Sequence, residues 1–246
     1  MFIGKKRFYY KEVDSTNEEA KRLFREGELD GGELVIANFQ NGGKGQMGSG
    51  WESLKAKNFT GTYFLKFDLD LREVFALNIL TSLAVRETVA EFISGSVEIK
   101  WPNDILVNGE KIAGILIETI VKDNKVKGAF LGIGLNVNQS RFSKFHRKPT
   151  SIKKFINAKL DLEVIIERLS FYLQQFHSLY LIKGYDTINF LYHKELYLKG
   201  EEHVYRVGKD TRCFILQNVN KQGDLQLFNQ FGKIEEFGLK EIEFLI

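Results

Sequence analysis

Five glycines, Gly42, Gly43, Gly45, Gly48 and Gly50, surround a single cation, Lys44, in the stretch NGGKGQMGSG at residues 41–50. Glycine lets backbone approach a ligand closely. The N–H groups that such a loop exposes bind anions, and Lys44 adds a full positive charge. The stretch is not a Walker A loop, because no Gly-Lys-Ser/Thr leads into a helix. It is not a dinucleotide-binding turn either, because a strand rather than a helix is expected after it. Taken alone, it reads equally well as a flexible surface loop.

Two further stretches carry polar groups where strands should be. Lys100-Trp101-Pro102-Asn103-Asp104 is followed by KIAGILIE at 111–118. Pro102 would interrupt a ladder, so it marks a bend between two strands. Asn103 and Asp104 then open a strand with polar groups available to metal, phosphate or backbone. Lys111 stands at the mouth of an apolar strand, near Gly114, as a candidate cation for a fixed anionic ligand. The competing reading is a snorkelling lysine on an ordinary hairpin. In GIGLNVN at 132–138, two glycines within a strand point to a close approach of something to the backbone, and Asn136 has an amide to offer it.

The elements that must position these residues follow from periodicity. Residues 7–13 read as a short strand. Ser15 with Glu18, or Thr16 with Glu19, has capping-box spacing, and Ala20, Leu23 and Phe24 follow at helical spacing up to a stop at Gly27. Strands are expected at 33–38, 59–67, 97–101, 104–107, 111–121 and 126–135, with Asn108-Gly109 a hairpin turn. Helices are expected over 71–94 and 161–182. After Gly200 the chain changes to short strands broken by glycines. The expected organisation is α+β, with a mixed, mainly antiparallel sheet and helices on one side, divided into residues 1–192 and a small β domain at 193–246.

Composition narrows the classes. One cysteine, Cys213, excludes an internal disulfide, and four scattered histidines offer no metal-ligand spacing. A net charge of +3 is too mild to argue for nucleic acid. No apolar run approaches the ~18 to 20 residues a membrane span needs, and the first residues lack a signal-peptide core. The expectation is a cytoplasmic protein with no membrane and no nucleic-acid partner.

Together, EVDSTN at 12–17, the segment from Gln40 to Trp51, KWPND at 100–104, KIAGILIE at 111–118 and GIGLNVN at 132–138 resemble the biotin–protein ligase family. The likeness is strong over about residues 8–140. The tail resembles the family's small SH3-like barrel more loosely. The resemblance implies a class II synthetase-like fold without the amino-terminal DNA-binding domain that some members carry. It implies an ATP-dependent biotin–[acetyl-CoA-carboxylase] ligase that forms biotinyl-5′-AMP and passes biotin to a lysine of a biotin carboxyl carrier protein domain. A homodimer is left open.

By the same resemblance, biotin would meet Ser15, Thr16, Asn17, Gln40, Gly43, Lys44, Gly45, Gln46, Lys111 and Gly114. ATP would meet Lys44, Trp51, Asn103, Lys111 and Asn136. Lys111 and Lys44 would be catalytic, and Asn103 and Asp104 would help hold Mg²⁺. Where many members have an arginine-rich loop, this chain keeps only Lys44, with Gln46, Met47 and Ser49 at the other positions, so no side-chain clamp is expected from those three. The rival readings are a lipoate–protein ligase or octanoyl transferase of the same fold, and a non-catalytic biotin-binding module.

Overall fold

The structure is a computed structural model of the chain and describes residues 2–48, 50–143 and 148–245. Seven strands form the main sheet: β1 (Arg7–Tyr10), β2 (Leu34–Ala37), β3 (Phe59–Asp70), β4 (Val97–Lys100), β5 (Asp104–Val107), β6 (Glu110–Lys122) and β7 (Lys125–Leu135). Their order is β1-β2-β3-β7-β6-β5-β4. Only β1 and β2 run parallel; every other pair in this sheet is antiparallel. The long β6–β7 hairpin turns at Asp123 and Asn124, both at positive φ, a backbone shape that Asn and Asp tolerate better than most residues.

Alternation along β3, β6 and β7 sorts side chains between two faces. Tyr63, Leu65, Ala113, Ile115, Leu131 and Ile133 face the main core, built under α2 (Ala76–Ala90) and α4 (Leu162–Lys183). Phe64, Phe130 and Ile120 face the other way and pack with Ala20 and Leu23 of α1 (Thr16–Arg25). Thus α2 and α4, with α5 (Tyr185–Lys194), cover one face, whereas α1 lies on the opposite one, a departure from the expected arrangement of all helices on one side. Helix α2 is buried nearly all round because α4 and α5 close over it. Its expected start at residue 71 is instead a 3₁₀ turn, Leu71–Glu73, with Asp70 accepting from the Arg72 N–H. Two short helices were not foreseen: α3 (Ile152–Ile156) and α5.

The capping box does not form. Ser15 is the N-cap of α1 in extended conformation, but its side chain caps no backbone N–H. The far end behaves as expected: Gly27 is at φ 78°, and the N–H of Glu28 reaches back to the Leu23 carbonyl.

The tail forms a second, antiparallel sheet of five strands, β8 (Glu202–Val207), β9 (Asp210–Val219), β10 (Leu225–Phe228), β11 (Ile234–Phe237) and β12 (Ile242–Phe244), in the order β11-β10-β9-β8-β12. Among the described residues no pairing joins β11 to β12, so the sheet is open where a small barrel was expected. Its core is aromatic: the Tyr205 ring lies 4.9 Å from that of Phe244 and 6.0 Å from that of Phe214. Hydrogen bonds join it to the rest, one of them from Lys221 Nζ to Glu73 Oε1 at 2.8 Å. Trp101 Nε1 donates to the Gly223 carbonyl at 2.8 Å, and the Val219 N–H donates to His193 Nε2 at 2.9 Å. No helix among the described residues is long and apolar enough to cross a membrane.

Candidate active site

On the α1 face of the sheet, bulky residues give way to glycine toward one end. Gly114 and Gly134 are paired directly across the β6–β7 ladder. A Cβ at Gly134 would lie 2.2 Å from Trp51 Cε2, and one at Gly114 would lie 3.2 Å from Trp51 Cζ3. The Trp51 indole therefore lies flat against this glycine pair, in space that any side chain would fill. A Cβ at Gly132 would likewise sit 2.3 Å from Asn17 Oδ1. The close approach expected at Gly132 and Gly134 is thus made by Asn17 and Trp51.

The amino end of α1 opens above this floor. Gln40, aligned beside Val13 by a parallel bridge, accepts the Thr16 N–H through Oε1 at 2.8 Å. Its Nε2 is left on the Gly43 side, 3.1 Å from where a Cβ of Gly43 would stand. The Thr62 hydroxyl lies 2.8 Å from Thr16 Oγ1 and 2.6 Å from Asn17 Oδ1. It has one proton, and Asn17 Oδ1 can only accept. Thr62 therefore donates to Asn17 and takes the Thr16 proton, which leaves Thr16 as an acceptor. Asn17 Nδ2 donates to Glu118 and to the Leu116 carbonyl, at 2.8 and 3.3 Å. Asn17 is thus engaged at both ends beneath the pocket, and Ser15 is the hydroxyl at this end that caps nothing.

The glycine segment closes on itself at its neck. Gly43 accepts the Trp51 N–H at 2.9 Å, and a bridge pairs Lys44 with Gly50. A side chain at Gly43 would strike the Trp51 carbonyl, 2.6 Å from the Cβ position. Gln46 to Gly48 form a single 3₁₀ turn. Ser49, which the resemblance deprived of a clamping role, lies outside the described residues.

Lys111 stands where two pockets meet. The first, of about 210 Å³, is lined by Ser15, Thr16, Asn17, Gln40, Lys44, Gly45, Gln46, Trp51, Asn103, Asp104, Lys111 and Gly114, together with Gly132 and Gly134. Gly43 does not line it; it holds the loop neck. The second pocket, of about 420 Å³, shares Gln46, Trp51, Asp104 and Lys111 and adds Asn136, Trp101, Phe142, Pro149 and Phe244. The Lys111 ammonium lies 2.6 Å from Asp104 Oδ1 and 5.9 Å from the centre of the Trp51 ring. Pro102 falls in the β4–β5 bend, as expected, after a cis Trp101–Pro102 peptide. Asn103 Nδ2 is spent on the Ile115 carbonyl, at 2.7 Å. Among the buried polar atoms that meet no partner in the described structure, two belong to this site, Trp51 Nε1 and Asn136 Oδ1. Both residues line the second pocket, and unpaired buried groups of this kind are costly unless a ligand satisfies them.

Two features lie outside the sequence reading. The walls that the carboxy-terminal sheet contributes to the second pocket, Leu239, Ile242, Glu243 and Phe244, carry no motif. The charged chain Lys44–Glu18–Lys21–Glu118 beside the first pocket arises only when α1 is docked on β6.

A model of the Biotin/lipoate A/B protein ligase family matches residues 9–136. The Bacillus subtilis protein "Bifunctional ligase/repressor BirA" is 29% identical over 220 residues, which cover 88% of this chain and 65% of that protein. The chain thus spans somewhat less than two thirds of that relative. The Paracoccus denitrificans "Biotin--[acetyl-CoA-carboxylase] ligase" is 27% identical over 227 residues, 90% of this chain and 93% of its own length. Among solved structures, a biotin protein ligase from Aquifex aeolicus in complex with biotin and ATP superposes with a TM-score of 0.78 at 23% identity, covering 97% of this chain and 98% of that one. At that identity the likeness establishes the fold. The family match covers more than half of the sequence and includes every residue named in the lining of the first pocket, and the chain belongs to the biotin/lipoate A/B protein ligase family.

Proposed function

We propose that this protein is a biotin–protein ligase: it activates biotin with ATP to biotinyl-5′-AMP and transfers biotin to a lysine of a biotin carboxyl carrier protein domain. The observation that carries this reading is the meeting of two pockets at Lys111 and Trp51. One has the dimensions and polar end for a small ring ligand; the other is an apolar-walled cleft suited to a nucleotide. The names of the Paracoccus denitrificans and Aquifex aeolicus proteins support the same substrates.

Each residue has a part in this scheme. Ser15, the Thr16 hydroxyl oxygen and Gln40 Nε2 offer hydrogen bonds to the ureido ring. Asn17 supports them from below, and Gly45, Gln46 and Gly114 wall the chain of the ligand. Trp51 and Asn136 face the nucleotide, and Asn103, on the lining of the first pocket, borders it beside Asp104. The biotin carboxylate must attack an α-phosphorus that is itself surrounded by negative oxygens, expelling pyrophosphate. Repulsion between the two is reduced where fixed cations and N–H donors are aimed at the developing charge. Lys111, Lys44, the backbone of the glycine segment with its neck at Gly43, and the amino end of α1 supply these. In the second half-reaction the carrier lysine attacks the acyl carbon and AMP leaves.

Chemistry of this kind calls for Mg²⁺. Asp104 is the one carboxylate lining the first pocket, it is paired with Lys111, and the described residues hold no cluster of metal ligands. That donor set fits an ion carried mainly by the nucleotide phosphates, with Asp104 and Asn103 at its edge. The cytoplasm is the compartment we assign, where ATP and the carrier are both available.

The test is incubation of the protein with ATP, biotin and a biotin carrier domain, with the carrier followed by mass and lipoate run in parallel. The expected result is one biotinyl group per carrier. Transfer of lipoate in place of biotin would move the assignment to the lipoate branch, and tight biotin binding without adenylate would make the protein a binding module.

A further inference from the structure

Lys44 is the one cation in residues 41–51, and its ammonium does not lie free in the pocket. It is 2.8 Å from Glu18 Oε1, with the lysine side chain 58% and the glutamate 44% exposed. Glu18 belongs to the first turn of α1 and is held from behind. Lys21 Nζ lies 3.3 Å from the same oxygen and 2.6 Å from Glu118 Oε1 on β6. The other Glu118 oxygen accepts from Asn17 Nδ2 at 2.8 Å, and Asn17 is fixed against Gly132 and Thr62 in the pocket floor. One partner of the Glu18–Lys44 pair is therefore anchored to the sheet, and the other rides on a glycine-rich segment. The Glu18 carboxyl is held below the usual range, with its hydrogen bond to Lys44 the largest cause.

We infer that Glu18 is a positioning residue for the glycine segment: it holds Lys44 at the pocket rim, and Lys44 exchanges Glu18 for the anionic phosphate of the bound adenylate as the segment closes. The inference rests on the ligase reading above. A lysine suits such an exchange. Its ammonium is a point charge on a flexible stem, able to turn from a carboxylate to a phosphate without the fixed two-pronged geometry arginine prefers. Glu18 thereby opposes retention of the intermediate, and its strength is that of an exposed, screened ion pair rather than a buried one.

The experiment compares wild type, Glu18→Gln, Lys44→Met and the double variant. Biotin-dependent ATP–pyrophosphate exchange is measured first, then the release of biotinyl-5′-AMP in a chase, and finally hydrogen exchange at residues 42–50 without ligand. Glu18→Gln is expected to slow release about two- to fivefold, the range an exposed pair supports. The same substitution should speed backbone exchange in the ligand-free segment and leave release unchanged in the Lys44→Met background. Unchanged or faster release by Glu18→Gln in an exchange-competent enzyme overturns the inference alone. Equal slowing in the Lys44→Met background also overturns it, because the effect would then belong to the field of the carboxylate and not to the pair. Absence of biotin-dependent pyrophosphate exchange in wild type would overturn the ligase reading, and with it the partner exchanged for Glu18.

Discussion

Lys111 is bound in the structure to Asp104 at 2.6 Å, with Asp104 only 16% exposed, so its removal has two effects that must be separated. Removing a cation that stabilises charge in a transition state typically lowers rate ~10² to 10³-fold, by analogy with other anion-stabilising donors. Removing it also leaves a half-buried carboxylate without its partner, which costs stability. We expect Lys111→Ala to lose adenylate formation by that factor and to melt at a lower temperature. Lys111→Ala/Asp104→Asn should recover the melting temperature without recovering the activity. Pyrophosphate exchange near the wild-type rate in a folded Lys111→Ala protein would remove Lys111 from the reaction. At this scale much of the site was legible in the sequence. A lysine opening an apolar strand and a proline followed by Asn103 and Asp104 stand out by type and spacing. Glu18 and Glu118 did not, because nothing local distinguishes them from a solvated helix face and a strand end. Lys21 and Glu118, 97 residues apart, meet only when α1 packs on β6.

The ties of the glycine segment include the Gly42 N–H to the Asp14 carbonyl, the Gly43–Trp51 neck, the Lys44–Gly50 bridge and the Lys44–Glu18 pair. Fixing glycine backbone costs more conformational entropy than fixing any other residue. Order across residues 42–50 should therefore depend on ligand contacts. Hydrogen exchange there is expected to slow strongly when biotin and ATP are added, while Phe59–Asp70 of β3 stays protected throughout. Equal protection of the segment in both states would show that the empty protein already holds it closed. The strands themselves were legible, since the period-two alternation of β3, β6 and β7 sets which residues reach the site. Helix α5 was not. Gly184 at φ 76° ends α4, and the apolar positions that follow, Tyr185, Ile188, Phe190, Leu191 and Tyr192, fall in a run of only 10 residues, too short to announce a separate helix before α2 is there to receive it. The capping box failed for the opposite reason. Its sequence was right, but the Glu18 side chain of the Ser15–Glu18 box is drawn to Lys44 and Lys21, and the Thr16 N–H of the Thr16–Glu19 box is taken by Gln40 from a distant loop.

Across the whole molecule, the two sheets meet through a small number of groups, and one of them titrates. Burial pushes the His193 pKa down. Its Nε2 accepts from the Val219 N–H, so Nδ1 carries the proton and donates to the Asn189 carbonyl at 2.7 Å. In the unfolded chain a histidine titrates near ~6.5. Below that value, and down to the lower folded value, the unfolded state binds more protons, so stability is full above about pH 6.5 and declines as pH falls. Protonated Nε2 cannot accept, so the hydrogen bond from the Val219 N–H that joins β9 to α5 is lost. His177, also lowered by burial, acts in the same direction within α4. The melting temperature should fall between pH 7.5 and pH 5.5, and His193→Gln should flatten that slope; an equal slope in the variant would place the sensitivity elsewhere. The joint at Trp101 has an optical consequence. The chain has two tryptophans. Trp101 is 2% exposed and hydrogen-bonded to Gly223, whereas Trp51 rests on bare glycine at the neck of the glycine segment. Trp51 lines both pockets and Trp101 only the second, so biotin alone should move the Trp51 emission, whereas ATP can move both. A change in intrinsic fluorescence on adding biotin alone is expected to survive in Trp101→Phe and vanish in Trp51→Phe, reading the Trp51 side of the site with no label attached to the protein.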